Sequence, residues 1–237
     1  MVKYKFEFVK TTGLVLHWLV LLTLLTIQLL GIVSSIGTST PFLLGKGGSA
    51  EVTVFRLYPT PLHFSLEFNK KKGSIRSELG SGKYTNPKNG AIRFDDPSET
   101  IKILAASELG TQIYEMFPSG YLLGEKDDSI AKRTFYPFVE DNDPAAYPWP
   151  PANELRPVLP VGFSILKFSV TDTGDVFKNE NVIINIAPPI EPKTVHTHDY
   201  MWLSWATILW PFNLVALGVY GWYLIWKTRK MAKELQN

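Results

Sequence analysis

The residues best suited to chemistry in this chain are few, and most of them gather at one place. His196-Thr197-His198-Asp199 is the cluster with metal-ligand residue types at close spacing. On an extended strand the two histidines project to one side, and with Asp199 or His63 they offer the nitrogen and oxygen donors that zinc or copper takes. Two histidines without a fixed third ligand make a weak match. The segment also sits just before a long apolar run, where Asp199 suits a helix N-cap and the histidines suit the headgroup layer. We therefore assign neither a metal nor a cofactor. Glu140-Asp141-Asn142-Asp143 has oxygen ligands of the kind calcium prefers but lacks the spacing of an EF-hand loop, and reads as an acidic surface turn. Gly45-Lys46-Gly47-Gly48-Ser49 lacks the lead and the strand-to-helix setting of a phosphate loop.

Nucleophilic catalysis finds equally little support. The chain has no cysteine, no serine in a nucleophile-elbow pattern and four histidines. A triad would need His63 with Asp95 or Asp96, and no spacing singles that set out. The chain is read as non-enzymatic, with no catalytic residues. The basic turn Lys70-Lys71-Lys72, with Arg76 nearby, could meet anionic headgroups or a partner, though such tips more often keep sheet edges apart.

Aromatic display is the stronger binding signal. Tyr136, Phe138, Tyr147 and Trp149 lie in and beside a proline-dense stretch that carries Pro144, Pro148, Pro150, Pro151, Pro157 and Pro160. A stiff, polyproline-like backbone that presents rings is a candidate contact surface for a sugar or a protein. The bland alternative is that Trp149 folds back over an open end of the domain, since large aromatics are mostly buried.

Two apolar stretches must position all of this. Residues 13–34 and 201–226 are each long enough to cross a hydrocarbon core of about 30 Å as a helix. Lys3, Lys5 and Lys10 precede the first, and Lys227, Arg229, Lys230 and Lys233 follow the second. The positive-inside rule then places both termini in the cytoplasm and the middle of the chain outside, in a bacterial periplasm. The first stretch is read as a retained anchor, because its apolar core exceeds an ordinary signal peptide and Val33-Ser34-Ser35 is a poor cleavage match. The net charge of +2 hides a separation: the part between the helices holds 17 basic and 20 acidic residues, which removes the electrostatic warrant for nucleic-acid binding.

That outer part reads as β. Leu62, Phe64, Leu66 and Phe68 alternate with His63, Ser65 and Glu67, the period-2 pattern of a strand with one buried face. Further strands are predicted at Glu51–Tyr58, Ala91–Phe94, Thr100–Ala105, Gln112–Phe117, Ala131–Val139, Val161–Thr171 and Asn181–Ala187, and Ser107–Tyr114 is the one place where a helical turn would fit. The expected fold class is a mainly β exported domain of sandwich or jelly-roll type bracketed by two transmembrane helices. The layout is a cytoplasmic tail (1–12), a helix (13–34), a flexible lead-in linker (35–49), a β-sandwich (50–187), a proline-rich stalk (188–200), a second helix (201–226) and a basic tail (227–237).

Polar side chains inside an apolar helix ask for partners. Counted inward from the outer ends, Gln28 falls near the depth of Thr207, Thr23 near Asn213, and His17 near Tyr220, as a packed antiparallel pair requires. The same faces would serve equally for another subunit or a second copy. The expected function is that of a binding or adaptor module of an envelope complex, partnered by the bilayer and by a protein. Alternatives are a protein that neutralises a periplasm-acting toxin, and a small accessory subunit of a membrane enzyme.

Overall fold

The apolar alternation around Phe64 builds the core of a β unit. In the computed structural model, which describes residues 2–84, 91–118, 129–139, 146–148, 155–191 and 194–236, the chain forms a β unit (residues 37–188) and a helical unit (residues 1–36 with 189–237). The strands are β1 (Thr38–Leu43), β2 (Ser49–Arg56), β3 (Thr60–Pro61), β4 (Phe64–Asn69), β5 (Ser81–Tyr84), β6 (Ala91–Asp96), β7 (Ile101–Ser107), β8 (Gly110–Met116), β9 (Ile130–Pro137), β10 (Ala146–Pro148), β11 (Val158–Leu159), β12 (Gly162–Thr173), β13 (Asn181–Ile186), β14 (Ile190–Glu191) and β15 (Thr194–Val195).

Eight of them form one antiparallel sheet in the order β1-β13-β4-β9-β8-β7-β12-β2. Its two edge strands are consecutive in the chain, so the sheet curls back on itself and is nearly barrel-like. The expected two-sheet sandwich is corrected accordingly: continuous pairing runs through β9 and β8, Met116 opposite Phe135, and joins what would have been separate layers. Small sheets β10-β6-β5 and β11-β3 add to the β unit.

The inward faces meet at Phe64, whose ring centroid lies 4.9 Å from Tyr114, 5.2 Å from Phe135 and 5.1 Å from Phe168. Leu62, Leu66, Phe68, Ile101, Ile103, Leu166 and Ile184 fill the rest, each essentially without exposure. Three arginines are buried with them and donate to main-chain carbonyls: Arg56 Nη2 to Ala187, Arg133 Nε to Leu79 and Nη2 to Gly80, Arg156 Nη1 to Leu62. Buried carbonyls need such donors, and one guanidinium serves several at once.

Three further expectations change. Residues 35–49, read as a flexible lead-in, contain β1, which pairs with β13 from Thr38 opposite Ile186 to Leu43 opposite Asn181. The glycines there serve the tight β1–β2 turn: Gly45 and Gly47 have φ of 137° and 84°, and a Cβ on Gly48 would lie 2.0 Å from the Leu43 carbonyl oxygen. Ser107–Tyr114 is a tight β7–β8 hairpin with Ser107 opposite Gly110, not a helical turn, because Leu104 and Ile113 continue a cross-strand ladder. The stalk at 188–200 holds the β14–β15 hairpin and a 3-10 turn over His198–Tyr200. Asp199 lies inside that turn, whose N-cap is Thr197 without a side-chain cap bond.

The helical unit comprises α1 (Val2–Ser34), α2 (Met201–Ile208) and α3 (Trp210–Gln236). Over Thr11–Ser34, α1 is long and apolar enough to cross a bilayer. The C-terminal apolar run, read as one segment over 201–226 with a kink expected from Pro211, bends by 70° at Leu209. Pro211 is the physical reason, since it has no N–H to continue the ladder and its ring crowds the preceding turn.

Phe64→Ala in the isolated segment 37–188 should lower its stability by about 3–5 kcal/mol, read by chemical denaturation. The unsubstituted segment should show a β-type circular dichroism spectrum and one cooperative melt, and a helical or non-cooperative signal would contradict the fold.

Candidate functional site

The helical unit carries a ladder of polar contacts. On α1, Leu14, Leu21 and Gln28 recur every seven residues and are all buried, so they form one stripe along a helix that is otherwise apolar all round. Leu14 and Leu21 pack with Leu224 of α3. Between them His17 Nδ1 lies 2.7 Å from the Tyr220 hydroxyl, with the rings 6.2 Å apart edge to face. At the stripe's far end, Gln28 Nε2 donates to the Ala206 carbonyl at 2.8 Å and Gln28 Oε1 accepts from Asn213 Nδ2 at 3.1 Å. Asn213 Nδ2 also lies 3.4 Å from the Trp205 carbonyl, so the two amides serve the last turn of α2, beside the break.

Of the six residues expected to pair, four therefore meet across helices and two do not. The hydroxyls of Thr23 and Thr207 bond the Leu19 and Ser204 carbonyls of their own helices. Depth counting assumes straight rods, and the bend at Leu209 brings Gln28 to Ala206 and Asn213 instead of to Thr207. Gly31 was missed altogether. A Cβ there would lie 2.6 Å from the Ala206 Cβ, so α1 and α2 approach as closely as only a glycine permits. The seven-residue spacing of Leu14, Leu21 and Gln28 was the available signal, masked by leucines on every other face.

On the β unit, three of the four aromatic candidates are engaged internally. Tyr147 is 7% exposed and sits edge-on to Phe94 and Phe117 at 5.6 and 5.0 Å, its hydroxyl 3.4 Å from Ser98 Oγ. Burial pushes its phenol up from the usual range. Tyr136 is half-buried against Phe117 and beneath the Arg156 guanidinium, 4.9 Å from the ring centroid. Phe138 is half-buried and holds the Lys102 ammonium 3.8 Å above its ring. Trp149 lies outside the described residues, as does the Glu140–Asp143 run.

The ring pair that does face outward is Phe55 with Phe163, directly opposite in the β2–β12 register, 5.1 Å apart and 40% and 78% exposed. Val161 and Ile165 extend this surface. The strand's own pattern held the signal: Leu166 and Phe168 occupy the inward set of β12 while Phe163 and Ile165 occupy the outward one, so β12 is apolar on both faces.

The basic turn loses one member. Arg76 is held by Glu78 and Glu180, packs over Phe68 and Phe177, and is pushed further into its charged form by those carboxylates, chiefly Glu180. Among the described residues no three acidic or histidine side chains converge on a common metal position.

Gln28→Leu should weaken association of α1 with the other helices by about 0.5–2 kcal/mol, and Gly31→Leu should do so more strongly by forcing α1 off α2. The chain has no cysteine, so a short thiol crosslinker between cysteines placed at 17 and 220 reads this directly. The unsubstituted background should crosslink within one molecule, and both variants should reduce that yield. Glu115, opposite Lys102 and Tyr136 in the sheet, has its carboxyl raised by burial, with Lys102 opposing. Below the ordinary glutamate range both folded and unfolded chains are protonated there. As pH climbs through the raised value, the carboxylate must ionise in a half-buried place and stability is lost. Glu115→Gln should thus raise the melting temperature of segment 37–188 at neutral pH and change it little at acid pH.

The chain matches no family model, no curated protein and no solved structure.

Proposed function

We propose that this is a non-enzymatic inner-membrane protein whose β unit, in the periplasm, is a binding or adaptor module of an envelope complex. The observation that carries the binding role is the outward Phe55–Phe163 pair. A phenylalanine 78% exposed, tilted against a second and accompanied by Val161 and Ile165, is an apolar surface of the kind that marks a contact site. Opposed aromatic rings also supply rigid contact area at small entropic cost.

The membrane role is supported by what the helices leave uncovered. Leu16, Leu19, Leu22 and Leu29 of α1 and Phe212, Val215, Val219 and Trp222 of α3 are exposed, a cost that a bilayer removes and water does not. The apolar part of α3, Trp210–Trp226, reaches about 25 Å along its axis, and α2 with α3 taken as one bent span supplies the second candidate crossing. The bonds that Gln28 makes to α2 and α3 favour a first helix that stays in the protein over one that is cleaved away. Lysines and arginines beyond both apolar segments favour a cytoplasmic side for the termini.

A reporter active only outside the cytoplasm should work when inserted in the exposed Lys71–Gly73 turn and fail when fused after Asn237. Mild detergent extraction of the tagged chain should recover a stoichiometric protein partner, and Phe55→Ser with Phe163→Ser should release it without lowering the melting temperature of the β unit. A chain that extracts alone under these conditions argues against the adaptor role.

A further inference from the structure

We propose that the cleft between the start of the α1 apolar segment and the end of α3 is a binding site for one anionic phospholipid; this rests on the membrane reading above. The cleft has a volume of about 450 Å³ and is lined by Gly13 and His17 of α1 and by Tyr223, Trp226, Lys227 and Lys230 of α3, with Met231 and Glu234 completing its rim. That size falls within the range of small-ligand sites.

Its chemistry is graded along α3. Tyr223 and Trp226 face each other at 6.3 Å and give an aromatic wall at the point where the apolar run ends. One turn further, the Lys227 ammonium lies 5.7 Å from the Tyr223 ring and the Lys230 ammonium 5.8 Å from the Trp226 ring. Cation–π contact holds both charges over the wall instead of letting them extend freely into water. An apolar wall that ends in two anchored ammoniums matches a glycerophospholipid, with acyl chain against the rings and phosphodiester between the lysines. Glu234 opposes an anion, and its exposed place at the rim leaves the lysines in the majority. A basic cleft between helices on the cytoplasmic side is where anionic lipid is also most concentrated.

Gly13 supplies the opening. A Cβ built on it meets nothing within 4 Å, so the space beside it is empty, although glycine inside a helix is locally unfavourable. A larger side chain there would project into the cleft without opposing the helix.

Native mass spectrometry of the full chain in neutral detergent, titrated with phosphatidylglycerol or phosphatidylcholine, tests the site. The expected result is a single bound phosphatidylglycerol, with occupancy about tenfold above phosphatidylcholine. Lys227→Gln with Lys230→Gln should bring the two lipids level, Gly13→Phe should abolish the adduct with the lysines intact, and Lys233→Gln, outside the cleft, should leave it unchanged. Equal occupancy of both lipids, or an adduct indifferent to Gly13→Phe in a variant whose circular dichroism is unaltered, would overturn the proposal. Alkaline carbonate washing of membranes carrying the full chain separates the two levels. Release of the chain defeats the membrane reading and the lipid site together, whereas retention with no lipid preference defeats the lipid site alone.

Discussion

A missing amide hydrogen organises the helical unit. Pro211 cannot donate to the turn before it, and its ring crowds that turn. The chain bends by 70° there, and side-chain amides gather on the carbonyls at the end of α2. Gln28 reaches Ala206 and Asn213 reaches Trp205, while the two amides bond each other, so one three-way junction ties α1, α2 and α3. Gly31 makes the junction reachable by letting α1 approach α2 closely, and the Leu14–Leu21–Leu224 packing with the His17–Tyr220 bond continues it along α3.

The β unit is organised by curling of its large sheet. β1 and β2 follow each other through a glycine turn and sit at opposite ends of the strand order, so the two ends of the sheet are brought back toward one another. Phe64 is the point on which four strands converge, and the buried arginines tie the connecting segments to this core through main-chain carbonyls. Such a scaffold is stiff enough to hold Phe55 and Phe163 outward against the tendency of large rings to find cover.

Chemistry follows from these frames in different ways. His17, Gln28, Asn213 and Tyr220 hold helices to one another, and Tyr136, Phe138 and Tyr147 are engaged against Phe117, Lys102 and Phe94. Among the described residues, the Phe55–Phe163 surface on the β unit and the aromatic and basic cleft on the helical one are left uncovered.

Much of the architecture was legible in the residues. Period-2 alternation located β2, β4, β6, β7, β8, β9, β12 and β13, since one buried face writes itself directly into sequence. The His17–Tyr220 contact followed from counting depth along antiparallel helices. β1 was not legible, because Thr38–Leu43 is short, includes Pro41 and becomes a strand only through pairing with β13. By itself the sequence determined which segments are apolar, which alternate, and where proline forbids a straight helix, because these are properties of neighbours along the chain. Only the tertiary structure decided that the strands join in one nearly closed sheet, that Gln28 meets Ala206 and Asn213, and that Phe163 rather than Tyr147 faces outward. Those outcomes depend on residues far apart in sequence competing for the same space and the same hydrogen bonds, and no local pattern records who wins.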